Sequence, residues 1–436
     1  MLKAFRAEPK AATDSAKIIC FESVRGLAAF AVLLGHLVIA FWPALYVVHS
    51  PGQAPQYPLF VRLFACPPFR VVWEAQWAVS IFFVLSGFVL SLSFFRSGRV
   101  ETLTSAAVRR YFRLMVPAAV SVLAACVLMK LGWMYNQADA ARMNRGAPGS
   151  AWWLASFYNF HPSFSTALKE GVWSTFFGGG TAFGQGRPVV VLGYNPNLWS
   201  LAFELQGSFL VYCFLALFGA LRNRWMIYVA SILVVALTHL QPALRSMNLV
   251  NFLLGAALAD GYVLAQRGRR PFQLPWWVGA AGVCLAAYVG TIRPASSLSL
   301  RWVTVDRDVV YQSAASFLLI GCVAFTPALR RVLEIKAFAF LGKVSYGLYL
   351  IHTIVLCSLG CWLHLALVGR WGFTHGVAAG VATAAVAAVS LLVAWALYAW
   401  VDLPTVRICK VVYNALFGVT RAQDRPELAL PRAAAA

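Results

Sequence analysis

The residues of this chain that could do chemistry are few, and they sit where solvation is poorest. Arg25 and His36 share one long apolar run with Glu22 at its start. Glu204 stands inside another, Asp260, His352 and Asp402 occupy three more, and His239 closes a shorter one. A charge or an imidazole inside hydrocarbon needs a partner or a water-filled cavity, so each of these positions is a reason to look for a site. On a helix, the eleven residues from Arg25 to His36 span about 16 Å and about three turns, which puts both on nearly one face at different depths. Glu204 lies a short way into a run that enters from the opposite side, at a depth matching His36. A neutral imidazole oriented by a carboxylate is a general base for an alcohol, and the carboxylate stabilises the imidazolium that forms. The other reading of a solitary membrane histidine is a hydrogen-bonded packing residue; the matched depth of Glu204 favours chemistry.

A second group is Arg109-Arg110-Tyr111-Phe112-Arg113, followed by Pro117. Three guanidinium groups within five residues suit a polyanion such as the phosphates of a nucleotide-bearing donor. An ordinary topology signal would look the same, although Arg113, the deepest of the three, is costly unless paired. The nine cysteines show no metal-ligand spacing, and Cys357 and Cys361, one helical turn apart, read as packing. No metal is expected.

The elements that must position these residues are membrane helices. Of 436 residues, 61% are apolar and 12% charged, the latter about half the share of a soluble domain. Apolar runs of about twenty residues, each able to cross a core of about 30 Å, recur near 20–42, 74–94, 112–131, 196–219, 225–240, 248–266, 275–292, 309–327, 344–365 and 376–402. The fold class is therefore all-α, a polytopic membrane protein with about ten transmembrane helices; soluble, fibrous and disulfide-stapled classes are excluded. The first run is expected to be retained, because about twenty polar residues precede it and no cleavage site closes it.

The net charge of +21 does not indicate nucleic acid, because the basic residues are scattered between the runs. Segments 1–25, 95–113, 220–224, 267–274, 328–343 and 403–436 hold 24 of the 36 Lys and Arg, which makes that face, with both termini, the cytoplasmic one. The expected organisation is a cytoplasmic segment 1–19, a membrane domain 20–405, and a partly disordered cytoplasmic tail 406–436. Between spans three and four lies an extracytoplasmic loop, 132–195, with a Gly178–Gly180 run; it reads as a lid or acceptor-binding loop, or equally as a packed cap.

These residues resemble a known family. Glu22 to Ala29 followed by Gly35-His36, with the Arg, ten residues, His spacing, resembles the first helix of the acyltransferase-3 family. Ser80 to Phe88, Arg109 to Pro117, Asn197 to Glu204 with its Trp-Ser-Leu-x-x-Glu pattern, and Gly342 with Ser345 to His352 resemble further family motifs in family order. One departure is visible: Asp402-Leu403-Pro404 stands where the family commonly has Glu-x-Pro, so the carboxylate reaches one methylene less far. The resemblance covers about 20–405.

It implies a multi-span O-acyltransferase of the cell membrane, taking an acyl group, most commonly acetyl, from a cytoplasmic acyl-CoA co-substrate, with no permanently bound cofactor. The acceptor would be a hydroxyl of a glycan or another small molecule. Arg25, Arg109, Arg110 and Arg113 would hold the donor; His36 would be the general base with Glu204 fixing its tautomer. Ser86, Trp199, Tyr346 and His352 would line the substrate pocket, with His352 orienting a neighbour and Ser86 packing or hydrogen bonding rather than carrying the acyl group. Asp402 would form a structural ion pair with Arg25 or an arginine of the third span. A fused esterase-like domain, found in some members, is not expected; a single-component enzyme, a homo-oligomer and a separate extracytoplasmic partner stay open. The rival from another class is a multi-span transporter or proton-coupled permease in which His36, Glu204 and Asp402 form a proton path. The motif order and the absence of an internal repeat argue against it.

Overall fold

The computed structural model describes residues 12–43, 45, 59–146, 151–177, 193–221, 223–238, 247–267, 271–292, 298–300, 303–305 and 307–417. Each of the ten apolar runs is a helix: α1 Ala12–Phe41, α2 Ala75–Ser97, α3 Glu101–Lys130, α4 Trp199–Phe218, α5 Arg224–Thr238, α6 Met247–Gln266, α7 Trp276–Thr291, α8 Arg307–Phe325, α9 Lys336–Val355 and α10 His375–Leu397. Eight of these runs are long and apolar enough to cross a membrane, while those of α5 and α7 are shorter. The all-α polytopic class is observed; of the about ten transmembrane helices expected, eight have spanning length among the described residues, and α5 and α7 fall short. A hairpin of β1 (Leu298–Leu300) and β2 (Val303–Val305), paired antiparallel, joins α7 to α8.

Two pairings form the centre. α2 packs along α6 and α1 along α9, and small residues let both pairs approach at backbone distance, the membrane route to tight packing. A Cβ at Gly87 would overlap the backbone of Phe252, and one at Gly26 would overlap Leu341 and Gly342. The α1–α9 contact brings Arg25 and His36 beside the motif that ends at His352. Asp260, within α6, is taken up by a two-pronged ion pair with Arg224 at the start of α5, which fastens the short helix and removes Asp260 from the catalytic candidates.

Two membrane helices do not stop where apolarity ends. α9 passes through a π turn, Leu356–Gly360, into a helix at Cys361–Gly369, and α10 passes through a π turn, Tyr398–Asp402, into a helix at Leu403–Leu416. The boundary expected at 405 therefore falls inside a helix. Pro404 sits directly after the π turn, in the first turn of the helix that follows it. The residues beyond 417, the Gly178–Gly180 run and His239 lie outside the described residues.

The described residues of the loop 132–195 form a cap of short helices, Asn136–Gly146, Trp152–Ala155, Phe164–Lys169 and Thr175–Phe177, with a π turn at Glu170–Ser174. Its Trp153, Leu154, Phe157 and Tyr194 belong to the same apolar core as α1, α3 and α9. It is packed onto the bundle rather than standing apart from it.

Candidate active site

Three turns along α1 from Arg25, the imidazole of His36 lies against that of His352. His36 Nδ1 is 2.7 Å from His352 Nε2, with the rings stacked at 5.0 Å and 17°. The other His352 nitrogen, Nδ1, is 2.8 Å from the Leu348 carbonyl. A carbonyl only accepts, so Nδ1 of His352 carries the proton and donates. In the neutral ring Nε2 is then an acceptor, and the proton between the rings belongs to His36 Nδ1. His36 is thereby held in the tautomer whose Nε2 lone pair is free. The cap reaches His36 as well: Trp153 lies 5.0 Å from the His36 ring at 30°.

This corrects the partner expected for His36. Glu204 accepts from Ser86 Oγ at 2.7 Å and is ion-paired with Arg110, while Arg110 Nε also donates to Ser208 Oγ at 2.8 Å. The matched depth does not hold: Asn197, seven residues before Glu204, already lies beside Tyr349 and Thr353, so Glu204 stands about two turns nearer the Arg25 end of the bundle than His36, where the cation on α3 takes its carboxylate. The orienting role expected of Glu204 falls instead to His352. Ser86 does have a carboxylate beside it, one already neutralised by Arg110.

Between α1, α2, α3, α4, α9 and the π turn of α10 lies a cavity of about 310 Å³. Its charged lining consists of Arg25, Arg110, Arg113 and Lys343 against Glu22, Glu204 and Asp402; Ser86, Tyr346 and Tyr349 add hydroxyls, and Phe82 and Phe83 an apolar side. Among the expected residues, Arg25, Arg110, Arg113, Ser86, Glu204, Tyr346 and Asp402 are thus brought together. Arg109 is not. Its Nε donates to the Ser105 carbonyl and its guanidinium lies over the Tyr413 ring, because neighbouring residues on a helix point about 100° apart. Trp199 packs on Phe203 and does not line the cavity, nor do His36 and His352.

Asp402 lines the cavity without a contact ion pair. Arg113 and Arg25 are the charges that act on it, but its Oδ1 is buried with no hydrogen-bond partner. Tyr346 is held by its hydroxyl, which donates to the Leu114 carbonyl at 2.6 Å.

Tyr349 joins the two regions. It lines the cavity, its ring stands 6.1 Å from that of His352, and its edge meets Phe82. Sequence reasoning did not single out Tyr349, Lys343 or Trp153. The first two sit in the motif around Gly342 to His352, at helical spacing from residues that were noticed. Trp153 gave no signal, since only folding of the cap brings it to α1. Among the described residues no cluster of His, Cys, Asp or Glu is arranged to hold a metal.

Apolar helices enclosing a charged cavity, with a hydrogen-bonded histidine pair next to it, are those of a polytopic membrane protein with a candidate catalytic site. The acyltransferase-3 family model, an acyltransferase domain, matches residues 18–399, and the chain belongs to that family. It is a membrane acyltransferase. Similar proteins are Acyltransferase R4 of a Phoma species, 25% identical over 84% of this chain and 88% of its own, and Acyltransferase clz18 of Cochliobolus lunatus, 26% identical over 78% and 82%. The O-acetyltransferase PaAT-1 of Phomopsis amygdali is 26% identical over 93% and 86%. No solved structure gives a significant match.

Proposed function

We propose that this protein transfers an acyl group, acetyl in the simplest case, from a cytoplasmic acyl-CoA to a hydroxyl of a glycan or other small acceptor, in the cell membrane and with both termini cytoplasmic. The observation that carries the reading is the histidine pair, which leaves His36 Nε2 unprotonated and directed by a hydrogen bond on its opposite nitrogen. The acceptor O–H gives its proton to Nε2 as its oxygen attacks the thioester carbon. The C–O bond forms, the tetrahedral intermediate collapses with loss of the C–S bond, and the proton passes from His36 to the departing sulfur. No acyl-enzyme is needed. His352 stabilises the His36 imidazolium by accepting its Nδ1–H, a bond that strengthens as charge develops.

The charged cavity is the donor site in this reading. Arg113, Arg25 and Lys343 are the cations left for phosphates once Arg110 is committed to Glu204, and the thioester passes Tyr349 to reach His36. The relative named as an O-acetyltransferase supports acetyl as the cargo and oxygen as the acceptor. The test has two parts. Mass spectrometry of envelope glycans and small metabolites from a strain lacking the gene identifies the lost acyl mass, and the same strain carrying His36→Ala must reproduce that loss while the protein still reaches the membrane. Normal acylation with His36→Ala overturns the reading.

A further inference from the structure

The turn that opens α4 is fastened to α9 on both sides of His352. Asn197 Nδ2 donates to the Tyr349 carbonyl at 3.1 Å and to Thr353 Oγ1 at 2.9 Å. Thr353 Oγ1 donates back to Asn197 Oδ1 at 3.1 Å. The Tyr349 hydroxyl donates to the Asn197 carbonyl at 3.0 Å and exchanges a hydrogen bond with Ser200 Oγ at 2.7 Å. One residue pair earlier, Asn195 Nδ2 donates to the Leu350 carbonyl at 2.7 Å and to Ser121 Oγ of α3 at 2.9 Å, while its Oδ1 accepts the Asn197 N–H at 3.1 Å.

Asn195, Asn197, Thr353 and His352 are all buried. The cap on the turn needs only the Asn195 oxygen. The Asn197 side chain does nothing for its own helix; its amide is directed wholly at residues three before and one after His352. Apolar side chains would fill that space without desolvating an amide, whereas a fully satisfied polar network specifies one position and one rotation of the helix. A rotation of α9 would carry His352 Nε2 away from His36 Nδ1 and release the tautomer.

We propose that Asn197, assisted by Asn195, is a positioning residue for acyl transfer: it fixes the turn carrying His352 and, through His352, the protonation pattern of His36. The proposal rests on the reading of His36 as the base. Its test is a double-mutant cycle in lipid nanodiscs, with radiolabelled acetyl-CoA as donor and the metabolite extract of a strain lacking the gene as the acceptor pool. Asn197→Ala lowers kcat by about tenfold, one lost buried hydrogen-bonding group in the transition state, with KM for acetyl-CoA changed by less than about twofold because the cavity is intact. In a His352→Leu background the same substitution costs less than about twofold more, because the two act on one path. Effects that multiply in the double variant, or an unchanged kcat in Asn197→Ala, overturn the proposal. Should Asn197→Ala not fold, Thr353→Val removes the partner with almost no change of shape; a fall in kcat at constant KM supports the proposal and an unchanged kcat overturns it. His36→Ala, measured alongside, separates the two claims, since activity there overturns the base reading itself.

Discussion

Replacing His352 by leucine removes the acceptor that holds the His36 proton, at a position with no solvent to substitute for it. His352 is wholly buried, and its Nε2 lies 2.7 Å from His36 Nδ1. In the transition state that bond runs from an imidazolium, and hydrogen bonds to charged groups contribute about 1.5–3 kcal/mol. The expected loss in kcat/KM is therefore about 10- to 150-fold. Leucine is close to histidine in volume, so the cavity cost is small. His352→Gln carries an amide oxygen at a similar reach and can still accept the Nδ1–H, so its loss is less than about tenfold. Initial rates with radiolabelled acetyl-CoA in nanodiscs, together with thermal unfolding of each variant, measure both quantities. A His352→Leu enzyme within about twofold of the parent, folded to the same temperature, refutes the argument that His352 governs His36.

The cavity gives a paired expectation for the donor. Arg113→Ala raises KM for acetyl-CoA by about tenfold or more through a lost charge-assisted contact, while Arg109→Ala, whose side chain is turned toward Tyr413, changes it by less than about twofold; equal effects on steady-state kinetics would show the cavity is not the donor site. In the cap, Glu170 accepts the Tyr194 and Asn195 N–H groups at 3.0 and 3.2 Å, yet burial pushes its carboxyl from 4.5 up to about 7. A raised pKa means stability fully present below 4.5 and lost as pH rises through about 7, a change of up to about 3 kcal/mol; unfolding followed from pH 4.5 to 8 should show this decline in the parent and a flat profile in Glu170→Gln. Gly342→Ala places a methyl carbon 2.6 Å from the Glu22 carbonyl carbon, so α1 and α9 must separate at a cost of about 1–3 kcal/mol, read as a lower unfolding temperature and reduced transfer activity together.

Membrane helices are legible because hydrocarbon enforces one rule along the whole chain: twenty apolar residues, with exceptions only at sites. That rule located ten helices, eight of them of membrane-spanning length, and singled out His36, Glu204 and Asp402. Partner choice was less accessible. Glu204 and His36 were matched by depth, but the start of α4 is set by Asn197 against Tyr349 and Thr353, which carries Glu204 about two turns past His36 and to Arg110. Rotation about the helix axis turned Arg109 away from Arg110 and Arg113. The position of Trp153 against His36 depends on the cap, whose short helices carry no membrane-length period. Asn197 stood inside a noticed motif, yet its bonds run to backbone carbonyls of α9, groups every residue type possesses.

On the proposed donor reading, the contact between Phe82 and Tyr349 at the edge of the charged cavity has a bioenergetic meaning. A passage wide enough for a pantetheine arm and open at both ends would also conduct water, and with water, protons, dissipating the gradient that the membrane sustains. Phe82 and Tyr349 both line the cavity and meet edge to face, with the Tyr349 hydroxyl engaged by Ser200 and the Asn197 carbonyl. On that reading the limit of the cavity and the turn of α9 that carries His352 rest on the same few hydrogen bonds, so a substitution that loosens one is expected to loosen the other.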